Sequence, residues 1–222
     1  SDTVELVQDK CRELGIPCSV IGEVTPEQGL TFDGKHIRDQ KRIDIDNIYG
    51  SFTQKDCIII ALEKAIERAL DIGGLVDLIP EVGMNIVYAK PEPSSLDDVA
   101  GLSGRIIKAM GKPISCGEVV YGASRHLSSV VLEAMRLGSS KRAAINIRGG
   151  NDVEERLEAM GIRVQVLPLK VEGAGCPVAI HLRDAHGLVD AYLHPGDHGI
   201  EPTTTILGED PSRLVDLLEK MM

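Results

Sequence analysis

The sequence predicts an α/β or α+β protein with a layered sheet, preceded by a short and separate α/β segment. Three observations lead there. From Pro80 onward, short apolar runs alternate with stretches of helical periodicity, the pattern of a sheet covered by helices. Residues 142–167 hold a compact strand–helix–strand unit whose strands are expected to form a parallel pair with a right-handed crossover. The chain has 222 residues, 43 % hydrophobic and 26 % charged, which suits one large domain with a sizeable core.

Taken in order, Thr3 to Leu14 carry Val4, Val7, Cys11 and Leu14 at helical spacing, with Gly15 as the stop. Cys18 to Val24 alternate as a strand does. A turn-rich GLTFDGK follows, then the charged and exposed RDQKRIDIDN. The boundary between a first piece, residues 1–50, and a main domain, residues 51–222, falls within residues 40–56. Residues 56–72 form a helix with Glu63, Lys64, Glu67 and Arg68 on one face, ended by Gly73-Gly74. Gly122 lets the backbone turn into a helix that begins near Arg125. Leu127, Val130, Val131 and Ala134 share its buried face, and Ser124 is the expected N-cap. Arg142–Ile147 read as a buried strand. Asp152 is the expected N-cap of a helix over Val153–Met160, Gly161 its stop, and Ile162–Leu167 a second strand. Thr203–Leu207 are β-rich, and Asp210-Pro211 open a last helix, SRLVDLLEKMM.

Charge narrows the function classes. With 24 Lys+Arg against 34 Asp+Glu the net charge is −10, and only six aromatics occur, none of them Trp. Nucleic acids and anionic membranes are bound through phosphate-facing cations and base-stacking rings, so neither is an expected partner. The average conceals a cationic centre. Arg105, Lys108, Lys112, Arg125, Arg136, Lys141, Arg142 and Arg148 fall in one stretch with only Glu118 and Glu133, a local charge of +6. That points to a small anionic ligand. No apolar run reaches the roughly 18 residues of a membrane span, and no signal-peptide pattern opens the chain, so a cytoplasmic location is expected. The chain opens on Ser1, as a processed chain or a piece of a longer one does. Five cysteines without CxxC spacing (Cys11, Cys18, Cys57, Cys116, Cys176) are expected as buried, reduced thiols.

Five stretches could carry chemistry. Gly122-Ala123-Ser124-Arg125-His126 puts two basic residues in the first turn of a helix, where free N–H groups attract anions. The alternative is a surface Arg and an incidental His after a routine cap. His194-Pro195-Gly196-Asp197-His198-Gly199-Ile200-Glu201-Pro202 holds two loop glycines able to present backbone amides to a phosphate. With His181 and His186 upstream, His194 and His198 also invite a metal reading. Their spacings match no ligand pattern, so polar loops around a substrate pocket are favoured. The remaining stretches are Ile79-Pro80-Glu81-Val82-Gly83-Met84-Asn85-Ile86, Ser103-Gly104-Arg105-Ile106, and Asn146-Ile147-Arg148-Gly149-Gly150 at a strand end. No Walker loop, dinucleotide fingerprint, nucleophile elbow or HExxH zinc motif occurs.

As an ordered set, PEVGMNI, GRI, GASRH, NIR and GDHGIEP followed by a β run and LGEDP resemble the ThiN-type thiamine-phosphate synthase domain, from about Gly74 to the C-terminus. The resemblance implies a three-layer α/β/α fold with a central mixed sheet, aldolase-like. It implies a transferase of thiamine biosynthesis that joins hydroxymethylpyrimidine diphosphate to hydroxyethylthiazole phosphate, giving thiamine phosphate and diphosphate. It places the family's key functional residues on Arg105 and His126. Asn85, Ser124, Arg125, Asn146, Arg148, Gly196, Asp197, Gly199 and Glu201 are the substrate-binding candidates. Mg²⁺ is expected with the diphosphate, with Glu81, Asp197 and Glu201 as candidate carboxylates; no organic cofactor is expected. The expected partners are small phosphorylated substrates; a homo-oligomer is open, and the sequence does not give the oligomeric state. LGIPCSVIGEVTPEQG within residues 1–50 resembles the tail of an aminoimidazole-ribonucleotide-synthetase-like domain, which implies a further amino-terminal domain in the natural protein. Two other readings stand beside the synthase: a non-catalytic thiamine-phosphate sensor, and an aldolase-like metal enzyme using His181, His186, His194 and His198.

Overall fold

The computed structural model describes residues 2–23, 30–32, 35–37, 56–169, 175–185 and 187–222. The chain divides into two compact units, Ser1–Gln54 and Lys55–Met222. The first holds helix α1 (Asp2–Glu13) and a two-stranded antiparallel ladder of β1 (Leu30–Phe32) and β2 (Lys35–Ile37). Gly15, at φ +67°, ends α1 in the left-handed conformation that glycine adopts without strain. The expected strand from Cys18 is not formed: residues 18–23 are irregular and exposed, and Val24 lies outside the described residues. RDQKRIDIDN also lies outside them.

The second unit is built on one seven-stranded sheet. Its strands are β3 (Ile86–Ala89), β4 (Val99–Leu102), β7 (Val119–Tyr121), β8 (Ala143–Arg148), β9 (Val164–Val166), β10 (Ala191–His194) and β11 (Thr203–Gly208). The spatial order is β7-β4-β3-β8-β11-β10-β9, antiparallel throughout except for the β10–β9 pair. Strands β5 (Ile106–Ala109) and β6 (Lys112–Ser115) form a separate hairpin.

Both faces of the sheet are covered. Alternation along each strand sends Ile86, Ile145, Ile147, Ala191 and Ile206 to one side. There they meet α2 (Cys57–Leu70), α4 (Asn151–Ala159) and α6 (Pro211–Met221). Val87, Ala89, Ala144, Tyr192 and Leu207 face the other side, against α3 (Arg125–Arg136) and α5 (Pro177–Asp184). The result is the expected three-layer α/β/α arrangement with a mixed central sheet. A strand buried on both faces must be apolar at nearly every position, which explains the run Ala143–Ile147 in β8.

Several local expectations are corrected. β8 and β9 run parallel, as the strand–helix–strand unit suggested, but β11 and β10 lie between them, so they are not paired. Asp152 does not cap α4. Gly150 holds the cap position at φ +145°, and Asp152 sits one residue inside the helix, where its carboxylate takes both terminal nitrogens of Arg148. Ser124 holds the cap position of α3, but at φ +54° and ψ +61° its hydroxyl caps nothing. The hydroxyl that closes this turn is Ser128's, donated to the carbonyl of Ala123 at 2.9 Å. Two helices do follow their sequence signals. Asp56 caps α2 through Oδ1, which accepts from Ile58 and Ile59 N–H, and Asp210 caps α6 through Arg213 N–H. None of the five cysteines is buried: Cys18 and Cys57 are exposed and Cys11, Cys116 and Cys176 are intermediate.

Asp190 pins the start of β10. It pairs with Lys141 and with Arg163, whose N–H and Nε both donate to Oδ2. Burial pushes this carboxyl up, but the two cations outweigh burial and hold it at about 2. An unfolded Asp titrates near 4. The ionised form therefore stabilises the fold above about pH 4, and that contribution is lost as pH falls toward 2. Urea unfolding of Asp190→Asn should show lower stability at pH 7 and a flatter loss between pH 4 and 2. A variant that followed the parent's pH profile would show that the pairing contributes nothing.

Candidate functional site

Four of the five chemical stretches meet at one end of the sheet. This end is marked by Ile86, Leu102, Val119, Arg148, His194 and Thr203, the residues at which β3, β7 and β11 begin and β4, β8 and β10 end.

Two buried amides fasten the loops there. Asn146, inside β8, accepts Asn85 N–H on Oδ1 at 2.8 Å and donates Nδ2 to the carbonyl of Gly83 at 3.0 Å. Asn85 donates Nδ2 to the carbonyls of Leu102 and Gly104 and accepts Leu102 N–H on Oδ1. Each asparagine thus serves backbone that has left the ladder and would otherwise be buried without partners. Both were candidate substrate contacts, and both have their amides engaged with the loops themselves.

Glu201 makes a second fastening. Its two oxygens accept the N–H groups of Glu81 and Val82 at 2.8 and 2.7 Å, tying the PEVGMN loop to the GDHGIEP loop. The latter is a tight turn: Asp197 and Ile200 exchange backbone hydrogen bonds, Asp197 Oδ1 accepts His198 N–H, and His194 Nδ1 accepts Gly196 N–H. Gly196, at φ +84°, has no room for a side chain, since a Cβ there would stand 2.6 Å from the carbonyl oxygen of Ile200. Gly149 joins the same turn by donating its N–H to Pro202.

Arg105 stands at this end of the sheet, exposed, at the foot of the β5–β6 hairpin. Its side chain lies against Gly83, close enough that a Cβ there would be 2.9 Å from Arg105 Cδ. Arg148 is occupied. It pairs with Asp152, which is the chief reason its proton is held more tightly than usual, and donates Nε to the carbonyl of Asp77. A cavity of about 510 Å³ opens beside it, lined by Gly73, Gly74, Asp77, Lys108, Arg148 and Arg156.

His126 is elsewhere. β7 leaves the sheet at Tyr121, at the opposite end, where Gly122 N–H donates to the carbonyl of Val99. Ser124, Arg125 and His126 therefore begin α3 beyond that other end, with Arg125 and His126 exposed. The cationic segment does not converge either. Arg136 pairs with Glu133, Lys141 with Asp190 and Arg148 with Asp152, while Arg142 stacks on Tyr88 and donates to the carbonyl of Ala89. Half of the +6 stretch's cations are thus consumed in local structure; Arg105, Lys108 and Lys112 are exposed at the foot and along the β5–β6 hairpin, and Arg125 is exposed at the start of α3.

Among the described residues no three His, Cys, Asp or Glu side chains converge on a metal-sized position. His181 lies on α5 with its ring 6.0 Å from that of Tyr192, His194 is buried in its turn, His198 is exposed, and His186 lies outside the described residues. Of the candidate Mg²⁺ carboxylates, Glu201 has both oxygens on backbone amides. No helix among the described residues is long and apolar enough to cross a membrane.

Sequence reasoning did not find the β5–β6 hairpin, which carries Arg105 at its foot. Its signal was Met110-Gly111 between the apolar runs IIKA and KPIS. Both residues take positive φ, 52° and 75°, as a tight hairpin turn demands.

Comparison with known proteins places residues 61–220 in a match to the family model described as thiamine-phosphate synthase ThiN. Thiamine-phosphate synthase ThiN of Methanothermobacter thermautotrophicus is 29 % identical over 171 residues, 71 % of this chain and 90 % of that protein. The bifunctional thiamine biosynthesis protein ThiDN of Methanocaldococcus jannaschii is 32 % identical over 147 residues, 64 % of this chain, which spans only 35 % of that protein. Among solved structures, the C-terminal domain of phosphomethylpyrimidine kinase superposes with a TM-score of 0.66 at 33 % identity, covering 74 % of this chain and 98 % of that one. L-fuculose-1-phosphate aldolase from Thermus thermophilus follows at a TM-score of 0.43 and 17 % identity, over 73 % of this chain and 91 % of that one.

Asn85→Ala strands the N–H of Leu102 and the carbonyls of Leu102 and Gly104. Urea denaturation should show a loss on the order of 2 kcal/mol or more. A change within about 0.5 kcal/mol would mean that water or a shifted loop satisfies those groups.

Proposed function

The chain belongs to the thiamine-phosphate synthase ThiN family, whose members named above serve thiamine biosynthesis, and from that premise we propose that it catalyses the condensation itself: hydroxymethylpyrimidine diphosphate plus hydroxyethylthiazole phosphate to thiamine phosphate and diphosphate. The observation that carries this reading is the convergence of four signature loops around Arg105 at one end of the sheet, all within the matched span.

In the reaction the thiazole nitrogen attacks the methylene carbon of the pyrimidine. The carbon–nitrogen bond forms as the carbon–oxygen bond breaks, and the electron pair departs with the diphosphate. Negative charge grows on the leaving group, so a cation already held at its position lowers the barrier. Arg105 fits that role. Its guanidinium can take two phosphate oxygens at once, and Gly83 lets it lie close over the loop. His126 takes the part of proton donor or hydrogen-bond donor to the departing oxygen. Asn85, Asn146 and Glu201 act as positioning residues by holding the loops in place. The backbone amides of the 196–199 turn are the phosphate-facing groups in this reading. Magnesium, where used, arrives as part of the diphosphate substrate. We read residues 1–50, which precede the family match, as the tail of another domain.

Arg105→Ala and His126→Ala should each lower formation of thiamine phosphate by about 100-fold or more, with the fold retained by circular dichroism. Turnover of the two phosphorylated substrates at the parent rate by both variants would remove the role assignment.

A further inference from the structure

We infer that two copies of this chain build each site between them, Arg105 from one and His126 from the other, by pairing antiparallel along their β7 edges; the inference rests on the synthase reading above. The observation behind it is the placement of the two residues. β4 and β7 run antiparallel, with Leu102 opposite Val119 and Ala100 opposite Tyr121. Arg105 lies three residues beyond Leu102, at the loop end. His126 lies five residues beyond Tyr121, at the opposite end. The strand between those ends is about 10 Å long before either loop is added. The Arg105 side chain is laid over Gly83, which belongs to the loop end. Within one chain, then, the two residues stand at opposite ends of the β4–β7 pair.

β7 shows how a second copy would repair this. It is an edge strand: among the described residues its ladder partner is β4 alone, and Val120 at its middle is 39 % exposed. An edge strand presents unpaired N–H and C=O groups that another strand can satisfy. Two-fold pairing is self-complementary: a residue i of β7 meets residue j of the partner while j meets the partner's i, and only the residue on the axis meets its own counterpart. With the axis at Val120, the Val119 end of one copy comes beside the Tyr121 end of its partner. Arg105 and the start of the partner's α3 then flank the same space. The charges agree with this arrangement. Exposed Glu118 precedes β7 and exposed Arg125 follows it, so antiparallel pairing brings Glu118 toward the partner's Arg125 at both ends. Parallel pairing would set like ends together and leave every site as incomplete as before.

The test is complementation with the full chain. Arg105→Ala and His126→Ala, each inactive alone, are mixed in equal amounts and allowed to exchange subunits. Half of the dimers are then mixed, and each of these holds one site with both residues intact, so about a quarter of the parent activity should return. A mixture as inactive as its components overturns the inference. Should the alanine variants not fold, Arg105→Lys and His126→Gln replace them. Binding of inorganic diphosphate by calorimetry, on the same variants and mixture, separates this inference from the reaction assigned above. If the parent makes no thiamine phosphate but mixing restores diphosphate binding, the reaction is wrong and the shared site stands. If mixing restores neither, the shared site falls. Val120→Asp sets two carboxylates across the axis and should give monomers by light scattering. A parent chain that is itself monomeric, or a Val120→Asp dimer with full activity, overturns the edge pairing.

Discussion

The loop end of this sheet depends on two amide side chains whose partners are backbone. Where strands stop, N–H and C=O groups leave the ladder and must find other partners or face a penalty of a few kcal/mol each. Asn146 solves this for the loop before β3, and Asn85 solves it for the loop after β4. The two are joined through Asn85 N–H, so three loop segments share one fastening. An amide is suited to this because it offers a donor and an acceptor on one short, uncharged arm. A carboxylate in the same buried position would bring a charge with no counter-ion.

Glu201 shows where a carboxylate does serve. At the half-buried rim its charge falls on two successive N–H groups, an arrangement that holds a turn without a cation. Together the three side chains fasten the loops through the chain's own hydrogen bonds, the kind of support that electrostatic preorganisation needs. Rigid loops over a rigid sheet also explain why so many glycines sit here. Gly149 and Gly196 lie where backbones approach too closely for any side chain, not where the chain needs to move.

The parts of the structure legible in the sequence are those governed by local pattern. The periodicity of residues 57–70, 125–136 and 211–221 and the apolar runs of β8 and β11 appear where expected, because each depends on neighbours a few positions away. What was hidden depends on distant partners. Asp152 is the exception, a local ambiguity: pairing with Arg148 four residues back and capping the helix both suit an Asp at a helix start. Asn85 and Asn146 read as ligand contacts because their real partners lie 61 positions apart or in other loops. The strand order, with β10 and β11 inserted between β8 and β9, is invisible to spacing. Among the site stretches, the cationic run holding GRI and GASRH read as one centre for an anionic ligand, and the opposite directions of β4 and β7 set the two motifs apart.

The dispersal of the cationic stretch has a kinetic consequence. Arg136, Lys141 and Arg148 are neutralised by carboxylates, so they add little to the field felt by a ligand in solution. Within the reach of about 8 Å that the Debye length sets, an approaching anion first meets the net charge of −10, which repels it. Attraction is confined to the last few ångströms, where Arg105, Lys108 and Lys112 stand exposed. On the synthase reading proposed above, a chain of this kind takes up its phosphorylated substrates against the field of its own net charge. Moderate salt, by screening that field more than the contact, raises the encounter rate where an ordinary basic pocket would see it fall.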